Sequence, residues 1–190
     1  MTALTEAGVT RDQHLAWADE MRVGLISTVR RVWAPRGVKV RQRVQMVREW
    51  RYLVVAVDIQ AGRLWWCWTA TMHTEATASV VRGWQWNTDL DAVVWDGAPS
   101  HRAALVRDLN FPLVQQPAYA PELNPVERLF EELRRAIEGQ VYPSLEAKMA
   151  AIEAELLRWE VDPERVRRLM AWAWIRETID QLPQLNPIAA

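Results

Sequence analysis

The stretch LAWADEMRVGLI, residues 15–26, decides the fold of this chain. Apolar side chains stand at every second position in it, which is the period of a strand with one buried face. The pattern therefore predicts a first β-strand from Leu15 to Ile26. The residues on its buried face are Leu15, Trp17, Met21, Val23 and Leu25.

One charged residue stands in that apolar row. Asp19 points to the side that the row buries, whereas Glu20 and Arg22 point the other way. Burying a lone carboxylate costs roughly several kcal/mol unless a cation or hydrogen bonds compensate it. Asp19 therefore needs a partner, unless a bulge bends the strand and exposes its side chain.

The rest of the chain alternates between strand-like and helix-like patterns. A turn at Trp33 to Gly37 follows the first strand, and Pro, Gly and capping residues mark the later boundaries. We predict a hairpin of strands at Tyr52–Asp58 and Arg63–Thr69, and further strands at Ala92–Trp95 and Phe111–Val114. Helices are predicted at Thr74–Trp86 and Ser100–Asp108. Three last helices are predicted to begin at Asn124-Pro125, Ser144 and Asp162-Pro163.

This order of elements predicts an α/β fold. We expect a mixed five-stranded sheet flanked by helices, with a C-terminal helical extension. A ribonuclease H-like fold has this order, although order alone is compatible with other α/β domains. The core would span about 12–140, and the extension at about 144–178 would cover the sheet or support a dimer contact.

Composition limits the classes of protein that this chain can be. With 190 residues, half of them hydrophobic, it can bury one sizeable core, which favours a single domain over residues 1–190. No apolar run approaches the ~20 residues of a membrane-spanning helix, and no secretory signal opens the sequence. The single Cys67 cannot form an internal disulfide, so we expect a cytoplasmic protein with no membrane contact.

Basic residues are concentrated in one stretch, although the net charge is −1. From Arg30 to Arg51 the only acid is Glu49. This stretch could lie along a phosphate backbone or form a solvated basic loop, and composition leaves both open. Its basic residues are Arg30, Arg31, Arg36, Lys39, Arg41, Arg43, Arg48 and Arg51.

Twelve tryptophans are many for this length. Four of them cluster at Trp65, Trp66, Trp68 and Trp84, and we expect most tryptophans in the core or at an interface. Stacking of one or two on extruded bases is the alternative, and the sequence does not select which.

A second carboxylate closes a buried strand. Asp96 follows the apolar run Ala92 to Trp95, and ligands in α/β folds gather at the carboxyl ends of such strands. Asp96 also precedes Gly97, and aspartate before glycine is common in turns. On local context alone, the turn is the stronger interpretation.

A third acid lies in the first turn of a predicted helix. Glu127 stands three residues after Asn124, which matches a capping box in which the glutamate returns to the cap amide. Position alone favours this cap over metal ligation. Asp58, which ends a strand before a turn, is interpreted as structural rather than as a ligand.

The chemistry that these acids could share connects them. Three acidic residues can hold two divalent cations, which activate a water or a 3′-hydroxyl for an in-line phosphodiester displacement. Oxygen ligands select Mg²⁺ or Mn²⁺. One cysteine and three separated histidines offer no zinc cluster, and the sequence has neither a phosphate-binding Gly-rich loop nor a Gly-x-Ser-x-Gly elbow.

Four segments in sequence order carry a family resemblance. They are DEMRVGL (Asp19–Leu25), RRVWAPRG (Arg30–Gly37), WDGAPSHRA (Trp95–Ala103) and QQPAYAPELNPVERLFEEL (Gln115–Leu133). Over nearly the whole chain, the sequence resembles the DDE catalytic domain of bacterial insertion-sequence transposases related to the mariner superfamily. The most specific part is YAPELNPVE, residues 119–127.

The resemblance implies a triad that is both catalytic and metal-binding. The family's Asp-Glu pair falls on Asp19, its Asp-x-Ala-x-x-His motif on Asp96, and its Asn-Pro-x-Glu motif on Glu127. The same match places His101 near the site, in contact with DNA. It further implies a ribonuclease H-like fold, Mg²⁺-dependent (or Mn²⁺-dependent) cleavage with two ions at the element's ends, and transfer of the freed 3′-hydroxyl into target DNA, typically at a TA step.

The resemblance also implies partners. These are double-stranded DNA, as transposon ends and as target, and a second copy of the chain in a homodimer, at the nucleoid of a bacterial cytoplasm. The expected DNA-binding residues are Arg30, Arg31, Arg36, Lys39, Arg41, Arg43 and His101.

Three features depart from the family pattern. Family members carry helix-turn-helix modules ahead of the catalytic domain, whereas here only about fourteen residues precede the first strand. We therefore expect that module to be absent and to come from a separate N-terminal polypeptide. Gly97 replaces a frequent asparagine, and Asp12-Gln13-His14 is a polar start to the first strand. Neither of these two changes removes a carboxylate.

Two other functions fit the same residues. A standalone ribonuclease H-like nuclease would cut DNA without joining a 3′ end to a second DNA. A truncated or domesticated derivative would bind or regulate without catalysis. Retention of all three acids argues against the derivative, while the missing N-terminal module argues for it.

Overall fold

A mixed sheet of five strands forms the centre of the molecule. The computed structural model describes residues 2–27, 33–118 and 120–184. The strands are β1 Leu15–Gly24, β2 Trp50–Asp58, β3 Arg63–Thr69, β4 Ala92–Trp95 and β5 Leu113–Gln115. Their order is β3-β2-β1-β4-β5, in which β2 runs antiparallel to β1 and β3, while β4 runs parallel to β1 and β5. This topology confirms the predicted ribonuclease H-like fold.

Helices flank the sheet, and two of them begin at side-chain caps that the sequence predicts. The Oγ of Ser144 accepts a hydrogen bond from the Ala147 N–H at 3.2 Å, and Oδ1 of Asp162 accepts one from the Arg165 N–H at 2.9 Å. These two of the three predicted caps are confirmed, whereas Asn124 is not the N-cap of the helix that follows it. The helices are α1 Thr2–Glu6, α2 Thr74–Asn87, α3 Ala104–Arg107, α4 Val126–Ile137, α5 Leu145–Glu160, α6 Pro163–Met170 and α7 Ala173–Asp180.

The central strand β1 is buried on both faces rather than on the one face predicted, because helices cover each side of the sheet. Alternate residues such as Trp17 and Met21 pack in one apolar cluster with α4 to α7. The residues between them, including Ala16 and Ala18, pack in a second cluster with α2 and α3. The helices at 145–180 thus cover the sheet, which is one of the two roles predicted for them.

Several predicted boundaries are wrong, among them the start of the last strand and the extents of two helices. The last strand begins at Leu113 rather than Phe111, since Pro112 has no N–H to donate to a ladder. The helix predicted from Ser100 is only Ala104–Arg107, because turns at residues 100–103 hold His101 against its neighbours. The last predicted helix is two helices, separated at Ala171, whose φ of −80° and ψ of 70° are not helical.

The predicted turn at Trp33 to Gly37 is confirmed in part. Val38 N–H donates to the Pro35 carbonyl at 3.1 Å, and Gly37 has a φ of 85°.

No helix of the described residues is both long and apolar enough to cross a bilayer.

Leu156 and Leu157 are adjacent on α5 and provide a matched test of this packing. Leu156 is fully buried, whereas Leu157 is 52% exposed. We expect Leu156→Ala to lower the free energy of unfolding by about 2–5 kcal/mol, because it leaves a cavity in the core. Leu157→Ala should cost less than about 1 kcal/mol. Urea unfolding measures both, and equal losses would contradict this orientation of α5.

Candidate active site

Asp19 lies in the middle of β1, within an uninterrupted ladder. It pairs with Val55 of β2, and its neighbours on both sides keep the same register. The bulge considered from sequence is therefore not formed. The side chain is half-buried, and its Oδ1 accepts a hydrogen bond from the Glu20 N–H at 2.8 Å.

Asp96 follows the last residue of β4, the parallel neighbour of β1. The ladder pairs Trp17 of β1 with Val94 of β4. Asp19 and Asp96 each lie two residues further along, so Asp96 comes level with Asp19. Its Oδ1 accepts from the Ala98 N–H at 3.0 Å, which is the turn interaction expected from sequence. The side chain is nonetheless 55% exposed, so a further ligand could reach it.

Glu127 is carried to the same region by the start of α4. The Asn124 side chain donates from Nδ2 to the Ala18 carbonyl at 2.9 Å and accepts at Oδ1 from the Val126 N–H at 3.1 Å. Asn124 is buried, and it fastens the first turn of α4 to the strand residue that precedes Asp19.

The predicted capping box is wrong. The backbone N–H of Asn124 donates to the Pro121 carbonyl at 2.9 Å, within a short 3-10 turn at Pro121–Leu123, and so does not need a side-chain acceptor. The Glu127 carboxylate instead lies 3.6 Å from the Arg134 guanidinium. Helix α4 begins at Val126, one residue later than predicted.

The three acids share one region of negative potential. Burial is the largest cause that raises the pKa of Asp19, the Glu20 N–H opposes it, and the nearby charges of Glu127, Glu20 and Asp96 raise the pKa as well, so that it lies at about 7. None of the groups that shift the pKa of Asp19 is a Lys or Arg, so no cationic side chain of the described residues balances its charge.

His101 supports Asp96 from the opposite side. Its ring stacks on Trp95 with the centroids 3.8 Å apart, and its Nδ1 lies 2.7 Å from Asp96 Oδ1. Its Nε2 lies 3.8 Å from Oε1 of Glu20, whose Oε2 accepts a hydrogen bond from Trp95 Nε1 at 3.0 Å. The imidazole of His101 thus lies between the carboxylates of Asp96 and Glu20.

The charges around His101 favour an ion pair between His101 and Asp96. Burial alone would lower the pKa of His101, but the hydrogen bond to Asp96 and the charge of Glu20 outweigh it and raise the pKa. The same hydrogen bond from His101 lowers the pKa of Asp96. His101 is only 5% exposed, so the structure places it where it can orient Asp96 rather than in the exposed position expected of a DNA contact.

Sequence reasoning missed the residues that hold the acids. Glu20, Trp95 and Arg134 make contacts with the site that no spacing in the sequence indicated, and Asn124 was predicted only as a helix cap. One signal was available: Glu20 shares its face of the strand with the apolar Ala16 and Ala18, which indicates that this face is also buried and that Glu20 too needs a partner.

Metal ligation is not preformed in the described residues. None of their groups of three or more His, Cys, Asp or Glu side chains is arranged closely enough to hold a metal ion. Two of the acids have other partners, since Asp96 contacts His101 and Glu127 contacts Arg134. The donor set is still all carboxylate, which suits Mg²⁺ or Mn²⁺.

The basic stretch forms an arm between β1 and β2, consisting of residues 25–27 and 33–49 in the part that the structure describes. Its two sides pair at their base, where Leu25 N–H donates to the Glu49 carbonyl at 3.1 Å and Ser27 N–H to the Gln45 carbonyl at 3.0 Å. Arg30 and Arg31 lie outside the described residues. The other four basic residues expected to bind DNA are all exposed: Arg36, Lys39, Arg41 and Arg43.

Asp58 has the structural role predicted for it. It is 1% exposed, its Oδ2 lies 2.9 Å from Nδ1 of His14, and its Oδ1 accepts from the Ala61 N–H at 2.9 Å. These contacts fasten the turn between β2 and β3 to the start of β1.

The sheet order and its flanking helices define an α/β domain of the ribonuclease H-like class. The family described as DDE superfamily endonuclease matches residues 14–147, and the chain belongs to that family.

Curated and solved proteins show the same similarity. A Tcb1 transposable-element transposase from Caenorhabditis briggsae is 33% identical over 84 residues, covering 44% of this chain and 30% of the relative. The Mos1 strand transfer complex superposes with a TM-score of 0.65 at 19% identity, covering 95% of this chain and 56% of that chain. The mariner Mos1 paired-end complex with Mg gives 0.62 at 19% identity, covering 97% and 61%. The chain thus spans under a third of the curated relative and little more than half of the structural ones.

The raised pKa of Asp19 predicts how stability changes with pH. A folded pKa of about 7, above the usual 3.8, means that the folded state binds the proton more tightly, so the contribution of Asp19 to the stability of the metal-free protein falls as pH rises from about 4 through 7. Asp19→Asn should remove this loss and raise the free energy of unfolding at pH 8 by on the order of 2 kcal/mol, after allowance for solvent screening.

Urea unfolding in EDTA at pH 5 and pH 8 measures this effect. Asp108→Asn, at an exposed position, is the matched control and should leave the pH dependence as it is in the original chain. If Asp19→Asn were less stable than the original chain at pH 8, the carboxylate would already have a stabilising partner.

Proposed function

We propose that this chain is the catalytic domain of a DDE transposase, which cleaves DNA at the ends of a mobile element and joins the freed 3′ ends to target DNA. The observation that carries this proposal is the half-buried Asp19 carboxylate, whose charge no cationic side chain of the described residues balances, and which comes level with Asp96 and near Glu127. Membership of the DDE endonuclease family supports it. So does the fold shared with the Mos1 strand transfer complex.

Asp19, Asp96 and Glu127 would hold the divalent metal, Mg²⁺ or Mn²⁺, as two ions. Bound ions would activate the attacking oxygen and stabilise the leaving oxygen of an in-line phosphodiester displacement. The structure with Mg among the Mos1 complexes supports this choice of metal. The carboxylate donors of this chain fit it, and neutralising Asp19 supplies the reason for binding.

The surrounding residues orient the three acids. Asn124 holds the first turn of α4 against Ala18, which fixes the direction from which Glu127 approaches. His101 holds one oxygen of Asp96 and leaves the rest of that carboxylate exposed to solvent. Arg134 balances the charge of Glu127, and the two side chains must separate before Glu127 can turn toward Asp19.

The basic arm would bind the DNA backbone beside this site. Its exposed residues Arg36, Lys39, Arg41 and Arg43 suit phosphate contacts, and Arg30 and Arg31 belong to the same stretch of sequence. We further propose that residues 1–190 act as one catalytic domain in a homodimer. The bacterial origin and nucleoid location expected for it rest on the sequence resemblance alone.

The metal site predicts a loss of activity in Asp96→Asn. With Mg²⁺ or Mn²⁺, the original chain should nick plasmid DNA and join a short duplex end to it, whereas Asp96→Asn should be slower by about 100-fold or more, because it loses a charged ligand. Gel assays of nicking and of joined product measure the two steps. Asp108→Asn is the matched control.

Each result of that assay has a defined meaning. Metal-dependent nicking without joining would replace the transposase by a standalone nuclease. Inactivity of the original chain would favour a regulatory derivative or a catalytic domain that requires its DNA-binding partner. Equal activity of Asp96→Asn and the original chain would show that the proposed site is wrong.

The basic arm predicts a change in the salt dependence of DNA binding. Replacing Arg41 and Arg43 together by Glu should weaken binding to any duplex and reduce the slope of log K against log salt by about 1 to 2, since each lost phosphate contact contributes about 0.9. Fluorescence anisotropy at several salt concentrations measures the slope. Arg158→Glu, on the exposed side of α5, is the control and should change it little.

A further inference from the structure

The two edges of the sheet differ in how they are protected. The edge strand β5 has three residues, follows Pro112 and packs against α1. The other edge strand, β3, has seven residues without proline, and within the described part of the chain it pairs only with β2. Long edge strands with unpaired backbone groups and apolar side chains are templates for pairing with another chain.

The surface beside β3 is open to such a strand. A groove of about 690 Å³ runs between β3 and α2, where Trp65 and Cys67 face Ser79 and Gly83 across it. A Cβ at Gly83 would meet nothing within 4 Å, so α2 leaves free space on this side. Trp65 and Cys67 are only half-buried.

The opposite face of β3 is held rigid by α5. Trp66 Nε1 donates to Glu160 Oε1 at 2.7 Å, and Trp68 Nε1 donates to Glu153 Oε1 at 2.8 Å. Both rings are half-buried and anchored by their polar atoms, so their exposed surfaces keep one orientation. Such preorganised aromatic side chains lose little conformational entropy on binding.

We propose that β3 pairs antiparallel with β3 of a second copy of this chain, about a two-fold axis at Trp66, so that the two sheets become continuous. This pairing deepens the proposed homodimer and rests on it. One strand, β2, separates β3 from β1, and Asp96 lies beyond β1, so pairing at this edge leaves the candidate active site open.

The sequence of β3 is complementary to itself in this register. Trp66 faces Trp66 of the second copy, Trp65 faces Cys67 on the α2 side, and Leu64 faces Trp68 on the α5 side. The large Trp65 ring of each copy thus contacts the small Cys67 side chain of the other copy, and the two-fold axis makes this contact occur twice. A register shifted by two residues would leave two residues of each strand unpaired, so the central register is favoured.

Charge also favours a second copy as the occupant. Arg63 is the only charged residue of β3, and in this register it faces Thr69 rather than a second arginine. Like charges opposite one another, which would oppose pairing, are therefore avoided. The remaining five positions are apolar, Leu64 to Trp68.

The test compares two substitutions at Cys67 in the 190-residue chain. Sedimentation velocity should show a concentration-dependent dimer for the original chain and for Cys67→Ser. Cys67→Lys places a charge against Trp65 of the second copy and should weaken dimerisation by at least about 100-fold, while circular dichroism stays that of the folded chain. Metal-dependent nicking, measured on the same samples, should be equal in the two variants.

A cross-link provides a second measurement that does not depend on the lysine variant. Trp66→Cys in the Cys67→Ser background places the two new thiols opposite each other across the axis, within the distance of a disulfide. Mild oxidation should then give a covalent dimer, which Cys67→Ser alone should not form.

The outcomes separate this interface from the proposed function. A dimer that persists in Cys67→Lys without the cross-link would overturn pairing at β3 but leave dimerisation and catalysis standing. An original chain that stays monomeric up to roughly 100 µM would overturn both the interface and the homodimer. Dimerisation lost in Cys67→Lys in a chain without nicking activity would support the interface and would favour a regulatory derivative or a catalytic domain that requires its DNA-binding partner.

Discussion

The burial of the Asp19 carboxylate is the physical constraint on which the arrangement of the candidate active site depends. Asp19 stands in a strand that is covered on both faces, and burial together with three neighbouring acids raises its pKa to about 7. Such an arrangement costs folding free energy, because an apolar residue in the same place would need no partner. A divalent cation would neutralise it, so the unfavourable charge becomes the source of affinity for the metal. Stability given up at this position is thus linked to function.

Different residues near Asp19 position different parts of the site. Asn124 joins helix α4 to the strand through two hydrogen bonds, and His101 joins the end of β4 to Glu20 on the far face of the sheet. Each acid therefore comes from a different element and is held by a different partner. Glu127 has a half-exposed counterion, Arg134, at 3.6 Å, and we expect Glu127 to be the acid that changes partners when metal binds.

Much of the fold was predictable, because the patterns in the strands are strong. The alternating row from Leu15 and the hairpin at Arg63–Thr69 led to correct strands, and Ser144 and Asp162 marked helix starts that the structure confirms. The failures lie where tertiary contacts override local pattern. The segment after Asp96 remains in turns because His101 is stacked and hydrogen-bonded there, and the apparent capping box at Glu127 gives way to Arg134.

By itself the sequence determined the class of fold, the positions of the three acids along the chain and the basic composition of the arm, because periodicity, capping and charge are local properties. Only the tertiary structure decided that Asp96 lies level with Asp19, that Glu20 and His101 support the site from the opposite face, and that β3 is an uncovered edge. These are relations between residues distant in sequence. They follow from strand order and helix packing, which no single stretch of the sequence contains.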